Sequence, residues 1–295
     1  MAELAMARRA AEANLHPLER KSRQQYLLML APAVLLLAVL FVYPLFGMVA
    51  RSFYTTQPTL ANYTEILTND LYHQVMGLTF RLAAAATLIC LLLGYPVAYV
   101  LAHARPRTVR LLMIAVVLPY FTSVIVRTFA WIVLLGREGI VNQYLLALKI
   151  ISRPIDLLYN EFAVLVGMTY VLLPFMVLTL YTVMQGIDQR LVRAAYSLGA
   201  SRFFAFIRVF LPLSLPGVAG GVLLVFIMGV GFFITPALMG GPTEMTIPML
   251  IEREVEITLN WSFASALATI LMLVTLSAFA VYSRIVKLDR FLEVR

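Results

Sequence analysis

The chain has 295 residues, of which 62% are hydrophobic and 13% are charged, and its mean hydropathy is +0.89. Soluble domains carry about 25% charged residues, so this composition excludes a water-soluble globular protein and indicates an integral membrane protein. The net charge of +8 does not predict nucleic-acid binding, because the basic residues are spread over short segments beside apolar runs.

The transmembrane part of the chain follows a polar tail, residues 1–26, which we expect to be solvated. The apolar run after this tail is too long for a cleaved signal peptide, so we interpret it as an uncleaved first span. A helix needs about 20 residues to cross the hydrocarbon core. Six stretches meet this length and predict an all-α transmembrane domain over 27–283, with spans at 27–49, 78–102, 111–135, 162–184, 213–238 and 263–283.

Basic residues predict the side of the membrane on which each connecting segment lies, because positive charge resists translocation. The segments 1–26, 103–110, 186–212 and 284–295 contain 16 of the 23 Lys and Arg residues and six of the 15 acidic residues. The segments on the other side contain six basic and nine acidic residues. Both termini, including the C-terminal tail 284–295, and the loop 186–212 are therefore predicted to be cytoplasmic.

The sequence lacks the residue clusters and motifs that metal binding or catalysis would need. Cys90 is the single cysteine, and the three histidines are far apart in the chain. Neither a G-x-x-x-x-G-K-[ST] phosphate-binding loop nor a G-x-S-x-G nucleophile motif occurs. We therefore expect no metal site, no bound cofactor and no catalytic residue in this chain. Any ATP, with its Mg²⁺, would be hydrolysed by a separate chain.

Arg127 lies well inside the third predicted span. An ionised side chain at the centre of a membrane helix costs about 2.5 to 3.5 kcal/mol on insertion scales unless it is paired or hydrated. We therefore expect Arg127 to face protein or water. Two interpretations stay open: a residue of a solute pathway or its gate, and an anchor that makes hydrogen bonds between helices.

The loop 186–212 carries the local signals of two short helices. Asp188 is the predicted N-cap of a helix over 189–198, and Gly199 supplies the left-handed residue that ends it. Ser201 is the predicted N-cap of a second helix over 202–211, which Pro212 is expected to break or kink before the fifth span. One face of the first helix is flat and apolar and consists of Leu191, Ala194, Ala195 and Leu198. Another face carries Arg190, Arg193 and Ser197.

Glycines suggest two further features near the end of the chain. The segment 240–261 combines Gly and Pro with four Glu residues and favours a re-entrant turn with a short helix. Its acidic side chains can attract a cation, contact a binding protein or form a solvated surface. Gly217 and Gly221 have the G-x-x-x-G spacing that lets two helices pack closely.

Two sets of motifs carry a family resemblance. The sequence Arg193-Ala-Ala-x-x-x-Gly199, followed by Val209-x-Leu-Pro212, resembles the E-A-A-x3-G-x9-I-x-L-P loop of permease subunits in bacterial ABC importers, with Arg193 in place of the Glu. Further motifs are similar to the spermidine/putrescine permease subfamily and lie at residues 119–131, 157–163, 171–176 and 239–242.

This resemblance implies the type I importer permease fold in the bacterial cytoplasmic (inner) membrane, and a non-catalytic subunit that forms half of a solute pathway. In that family the loop is a coupling helix that sits in a groove of the ATPase subunit. The working unit adds a second permease, identical or different, and a periplasmic solute-binding protein. The implied coupling residues are Asp188, Arg190, Leu191, Arg193, Ala194, Ala195, Leu198, Gly199, Ala200 and Pro212.

The resemblance favours a polyamine as the solute. Aromatic faces and acceptor groups would recognise its ammonium groups, although aromatic residues in membrane helices are more often packing residues. The candidate pathway or gate residues are Tyr120, Phe121, Arg127, Trp131, Tyr170, Phe232, Phe233 and Glu244.

Three alternatives stay open, namely a permease for another small solute, a secondary transporter and a non-transporting scaffold. A secondary transporter would need its own coupling-ion site, and the predicted spans contain no carboxylate. A scaffold would not need a loop with the spacing of a coupling helix.

Overall fold

The computed structural model describes residues 29–54 and 57–286, and nearly all of them are helical. The first of two compact units ends at Thr59 and contains α1, while the second contains all later helices. The predicted N-terminal tail and most of the C-terminal tail lie outside the described residues. We number the helices α1 Met29–Ser52, α2 Ala61–Thr68, α3 Asp70–His103, α4 Pro106–Val117, α5 Val124–Leu135, α6 Ile140–Ala147, α7 Glu161–Gln185, α8 Gln189–Ser197, α9 Arg202–Val230, α10 Ile234–Met239, α11 Ile247–Glu256 and α12 Trp261–Val286.

Five of these helices, α1, α3, α7, α9 and α12, are long and apolar enough to cross a membrane. A bent pair, Pro106–Phe121 and Val124–Ala147, makes a sixth crossing if it is counted as one span. The predicted all-α fold with six apolar stretches therefore matches the structure. The bounds differ at α3, which begins at Asp70 rather than at residue 78, and at α9, which ends at Val230 rather than at residue 238.

The third predicted span, 111–135, is wrong as a continuous helix. After α4 the chain forms a 3₁₀ turn, Leu118–Phe121, and the two arms of the span are bent by 99°. Thr122 has an extended backbone with ψ 151°, and its hydroxyl donates to the Pro119 carbonyl at 2.6 Å. Helical hydrogen bonding is therefore interrupted within an apolar stretch, where hydropathy alone shows no boundary.

The second helix of the loop continues into the fifth span, so the predicted break at Pro212 is wrong. A π turn, Phe206–Phe210, lies directly before the proline, with the Leu211 N–H bonded to the Phe206 carbonyl. Pro212 consequently occupies the first turn of the following α-helical segment. The helix continues through the proline, so α9 runs from Arg202 to Val230.

The interior of the second unit lies where α3, α7 and α9 pack together. A Cβ on Gly217 would lie 2.8 Å from the Val183 Cβ, and one on Gly221 would lie 2.7 Å from the Met176 sulfur. These distances leave no room for a side chain, which confirms the close helix packing predicted from the glycine spacing. The buried core includes Leu82, Ala86, Cys90, Met168, Leu172, Met176, Leu180, Phe210 and Val225.

The segment before α12 forms a turn and a short helix, as predicted. The turn follows α10, and α11 then packs its apolar side against α2, α3 and α12 through Ile247 and Leu250. The hydroxyl of Thr79 on α3 accepts a hydrogen bond from the Ile247 N–H at 2.9 Å. This buried bond attaches the start of α11 to α3.

Candidate functional site

Helix α8 has defined ends on both sides. The Asp188 Oδ1 accepts a hydrogen bond from the Arg190 N–H at 2.8 Å and caps the helix. At the other end Gly199 has φ +84°, and its N–H bonds to the Tyr196 carbonyl at 2.9 Å. The Ala200 N–H bonds to the Ala195 carbonyl at 3.0 Å, which completes a Schellman turn. The predicted cap and stop residues are therefore both in place.

The chain enters α9 immediately after this turn. The Ser201 hydroxyl accepts a hydrogen bond from the Phe204 N–H at 3.3 Å, as predicted for its N-cap. Two well-capped helices thus follow one another with only four residues between them, 198–201, which the turn and the cap hold in place. Such a segment can transmit displacement as one piece, because its backbone hydrogen bonds are local and complete.

The outward side of α8 is apolar. Leu191 is 50% exposed, Leu198 is 89% exposed, and Ala194 lies between them on the same exposed side. Ala195, predicted for the same face, is half-buried, and Val192 packs against the core. The exposed surface that we call the α8 docking face therefore consists of Leu191, Ala194 and Leu198.

A hollow of about 240 Å³ lies between α8 and the ends of α3 and α9. Four aromatic rings contribute to its wall, and the Tyr99 ring packs edge-on against Phe210 at 5.0 Å between ring centroids. His103 and Arg193 contribute its basic groups, and the His103 Nδ1 lies 2.8 Å from the Tyr99 carbonyl oxygen. We call it the α8 hollow; its lining residues are Tyr99, His103, Gln189, Val192, Arg193, Tyr196, Phe206 and Phe210.

The sequence interpretation did not include Tyr99 or His103 in any site. The spacing of four residues between them, at the end of a span, was the available signal, because such residues share one helix face. Only the packing of α3 against α8 and α9 shows that this face meets the loop.

Arg127 lies on the inner side of α5 and is only 9% exposed. Its Nε and Nη1 atoms are buried and have no hydrogen-bond acceptor among the described residues. Val126, Phe129 and Val133 occupy the exposed side of the same helix. The guanidinium is therefore turned away from that side, as expected for a charged group that faces protein or water.

Aromatic candidates connect the broken third span to α7 at two separate places. Trp131 and Tyr170 pack edge-on with ring centroids 5.6 Å apart. Tyr120 packs edge-on against Phe175 at 5.3 Å. Tyr170 and Phe175 lie five residues apart, on different faces of α7, so the two pairs do not form one binding site.

The other aromatic candidates have different surroundings. Phe121 is 79% exposed and lines a shallow apolar hollow with residues of α4. Phe232 packs at the edge of the core, and Phe233 is half-buried before α10. The structure therefore does not gather the aromatic candidates into one cluster.

Glu244 has a structural role in the turn between α10 and α11. Its Oε2 accepts a hydrogen bond from the Gly241 N–H at 2.7 Å, and its Oε1 accepts one from the Thr243 hydroxyl at 2.9 Å. Both carboxylate oxygens are therefore engaged in closing the turn. A gate role for Glu244 would require these bonds to open.

Charged residues near the helix ends form ion pairs at two places in the described part of the chain. Arg81 of α3 makes a bidentate pair with Glu161 at the start of α7, with distances of 3.1 and 2.8 Å. Arg137 pairs with Asp156 at 2.6 Å, and the hydrogen bond and positive charge of Arg137 lower the pKa of the Asp156 carboxyl. Both pairs are largely exposed, so each contributes little to stability.

Comparisons with known proteins agree with this architecture. The family described as "Binding-protein-dependent transport system inner membrane component" matches residues 91–288. The spermidine/putrescine transport system permease protein PotB of Haemophilus influenzae is 39% identical over 259 residues, which cover 88% of this chain and 89% of that protein. The Escherichia coli PotB is 37% identical over 226 residues, covering 77% of this chain and 82% of that protein.

A solved structure shows the same fold. It contains a bacterial alginate ABC transporter in complex with an alginate pentasaccharide-bound periplasmic protein. One of its chains matches with a TM-score of 0.76 at 17% identity, covering 93% of this chain and 98% of that chain. This confirms the importer permease fold, whereas identity at this level does not transfer a solute.

Proposed function

Because the chain belongs to the family of binding-protein-dependent transport system inner membrane components, as a permease subunit of an ABC importer, we propose that it transports a polyamine, spermidine or putrescine, into the cell. Support comes from two relatives with 37% and 39% identity that are named for spermidine and putrescine transport. Family membership also shows that the secondary-transporter and scaffold hypotheses are wrong.

Within this function, α8 would be the helix that docks on an ATPase subunit. The observation that carries this assignment is the α8 docking face, on which Leu191, Ala194 and Leu198 are exposed on a helix whose two ends are fixed. Exposed apolar side chains in a polar loop gain free energy when a partner covers them. The ATPase would hydrolyse ATP with Mg²⁺, and this chain would supply no catalytic group.

The complete importer would contain further chains. A second permease, identical or different, would form the other half of the pathway, and a periplasmic solute-binding protein would deliver the solute. The distribution of basic residues supports an orientation with both termini and the α8 loop in the cytoplasm. The ATPase then meets α8 on that side, and the binding protein meets the turns around α11 on the other.

Uptake by the reconstituted importer tests the solute. Proteoliposomes containing both permeases and the ATPase, with the binding protein outside, should accumulate labelled spermidine or putrescine only when ATP and Mg²⁺ are enclosed. Accumulation should stop when the binding protein is omitted. A binding protein that ignores both polyamines but binds another small solute would contradict the polyamine assignment and leave the importer assignment standing.

A bulky side chain on the α8 docking face tests the coupling role. Ala194→Trp should abolish ATPase binding by the solubilised permease, because the new ring would separate the two surfaces. Ala280→Trp is the matched control, since Ala280 is exposed on α12, which is not part of the loop. Equal ATPase binding by both variants and the unmodified protein would reject α8 as the docking helix.

A permease for another small solute is the second candidate, and Arg127 is the observation that favours it. A buried guanidinium whose Nε and Nη1 atoms have no acceptor among the described residues would repel a cationic solute that passed nearby. If Arg127 faces the pathway, an anionic or neutral solute is the better match. Competition of labelled solute uptake by unlabelled polyamines separates the two candidates, because only a polyamine importer is inhibited.

A further inference from the structure

The α8 hollow lies at the height of the membrane surface. The stretch 82–101 of α3 contains no charged residue and matches the length of about 20 residues that crosses the hydrocarbon core. His103, the last residue of α3, comes directly after this stretch and its neighbour Ala102, and it lines the hollow. The headgroups of the surrounding lipids are therefore at the same height as the hollow, whichever proteins bind this chain.

An apolar strip on α3 leads to the hollow. Leu93, Pro96 and Val100 are exposed, and their spacing of three and four residues places them on one side of the helix. His103 continues this row and is exposed as well. An acyl chain can lie along the strip while the headgroup of the same lipid is at His103.

The hollow offers positive charge and hydrogen-bond donors. Its lining residues include two basic side chains and no acidic one. The guanidinium of Arg193 can bind two phosphate oxygens with parallel hydrogen bonds. The Nδ1 of His103 lies 2.8 Å from the Tyr99 carbonyl oxygen, which can only accept, so Nδ1 donates there. The Nε2 atom of a protonated His103 is then the donor for a phosphate oxygen.

The size of the hollow and its other walls suit a small anionic group. At about 30 Å³ per water molecule, a volume of about 240 Å³ equals that of about eight waters, which admits a phosphate group with a few attached atoms. Gln189 and Tyr196 add neutral donors, and Phe206 and Phe210 exclude water from one side. Charge-assisted hydrogen bonds are stronger in such surroundings than in open water.

We propose that the α8 hollow binds the phosphate of an anionic phospholipid, held by Arg193 and His103, with an acyl chain of that lipid along the α3 strip. Basic pockets between the ends of membrane helices are suited to anionic headgroups. The bound lipid would join the inward side of α8 to the ends of α3 and α9. The site depends neither on the solute nor on ATPase docking, because its residues face away from the α8 docking face.

Lipid binding to the solubilised full-length chain tests this site without the ATPase. Phosphatidylglycerol and phosphatidylcholine with identical acyl chains are titrated separately, and native mass spectrometry counts the lipids on each chain. The first phosphatidylglycerol should bind about tenfold more tightly than phosphatidylcholine. Excess inorganic phosphate should displace little of it, because free phosphate makes no contact with the α3 strip.

Substitutions at single positions assign the binding to the hollow. Arg193→Gln should weaken the first phosphatidylglycerol about tenfold, because a hydrogen-bonded charge pair is lost. Arg193→Lys keeps the charge but not the paired donors and should weaken it less. Arg202→Gln is the matched control. It removes the same charge from an exposed position on the same loop, outside the hollow, and should change binding less than about twofold.

Three results would overturn the inference. One is equal binding of the two lipids by the unmodified protein. Another is equal weakening by Arg193→Gln and Arg202→Gln, which would indicate diffuse attraction to the basic loop rather than a site. The third is complete displacement by inorganic phosphate, which would make free phosphate the occupant. Thermal unfolding in phosphatidylcholine micelles checks that each variant is folded, and Arg193→Lys keeps the test valid if Arg193→Gln is not.

Discussion

Two of the places where the chain changes direction between helical segments are held by different interactions. At residues 198–200 a Schellman turn closes α8 with hydrogen bonds from the Gly199 and Ala200 N–H groups, and Ser201 caps the next helix. In the third span, the break at 122–123 has two hydrogen bonds from Thr122, one from its N–H and one from its hydroxyl, and both go to the Pro119 carbonyl. Packing of Tyr120 and Trp131 against α7 supports the two arms.

This difference separates a rigid connection from a compliant one. The α8 turn carries its own hydrogen bonds, so α8 and the start of α9 can move together when a partner pushes on the docking face. The arms of the third span depend on contacts with α7, and their angle can change when α7 shifts. We expect substitutions in the loop to disconnect the ATPase from transport, and substitutions in the third span to alter the pathway.

Gly199→Val should have the largest effect on coupled transport. A left-handed backbone costs an L-residue about 1–2 kcal/mol, and a β-branched residue tolerates it least. A Cβ at this position would meet no atom within 4 Å, so the effect is conformational rather than steric. Solute-stimulated ATP hydrolysis and uptake should fall about tenfold. Gly199→Asn is the control and should retain most activity, because Asn tolerates this φ.

Normal uptake and normal solute-stimulated ATP hydrolysis in the Gly199→Val variant would contradict a rigid α8 turn with a coupling role. In that case the loop would tolerate changes of its backbone angles, as we expect of the break in the third span.

Arg127→Leu should separate function from stability in the third span. Removing a charge that costs about 2.5 to 3.5 kcal/mol in a membrane helix should raise the thermal unfolding temperature of the solubilised protein. Uptake should fall severalfold, because a buried cation whose Nε and Nη1 atoms have no acceptor among the described residues serves the pathway or an interhelical contact. Arg127→Lys, which keeps the charge, is the control. Unchanged uptake at a normal protein level would eliminate both interpretations of Arg127.

Asp188→Ala should have a moderate effect confined to α8. Loss of an N-cap costs about 1 kcal/mol, so amide hydrogen exchange in the first turn of α8 should accelerate about fivefold. Ser201→Ala should change exchange in α9 less, because its cap bond is longer, 3.3 Å against 2.8 Å. Exchange followed by mass spectrometry measures both variants. Equal acceleration throughout the protein would show that the cap supports the whole fold rather than one helix.

The smallest effect is expected at the Arg137–Asp156 pair, in the segment after the third span. Arg137 lowers the pKa of Asp156 in the folded protein. The stabilisation by this pair is therefore fully present above the pKa that Asp156 has in the unfolded chain, and it is lost as the pH falls through the lower pKa of the folded protein. Arg137→Gln should raise the Asp156 pKa, measured by NMR of a labelled carboxyl carbon. Uptake at neutral pH should not change, because exposed pairs contribute little. A clear loss of uptake would assign this pair a role in binding-protein contact.

Local signals in the sequence predicted the loop correctly where the bonds are short-range. Asp188 and Ser201 accept hydrogen bonds from N–H groups two and three residues away, and Gly199 donates its own N–H to a carbonyl three residues before it, so their roles are readable without tertiary information. Pro212 was misread for a related reason. Proline is expected to end a helix, but here a π turn precedes it and the helix continues through it, and no residue type in that turn predicts this arrangement.

By itself, the sequence determined the membrane class, the six apolar stretches, the helix caps of the loop and the resemblance to importer permeases, because each of these depends on composition or on neighbouring residues. Tertiary structure alone decided the 99° bend of the third span, the half-burial of Ala195 and the engagement of Glu244 in a turn. It also placed Tyr99, His103 and Arg193 around one hollow. The reason is physical: these features depend on which surfaces of separate helices meet, and distant residues along the chain supply those surfaces.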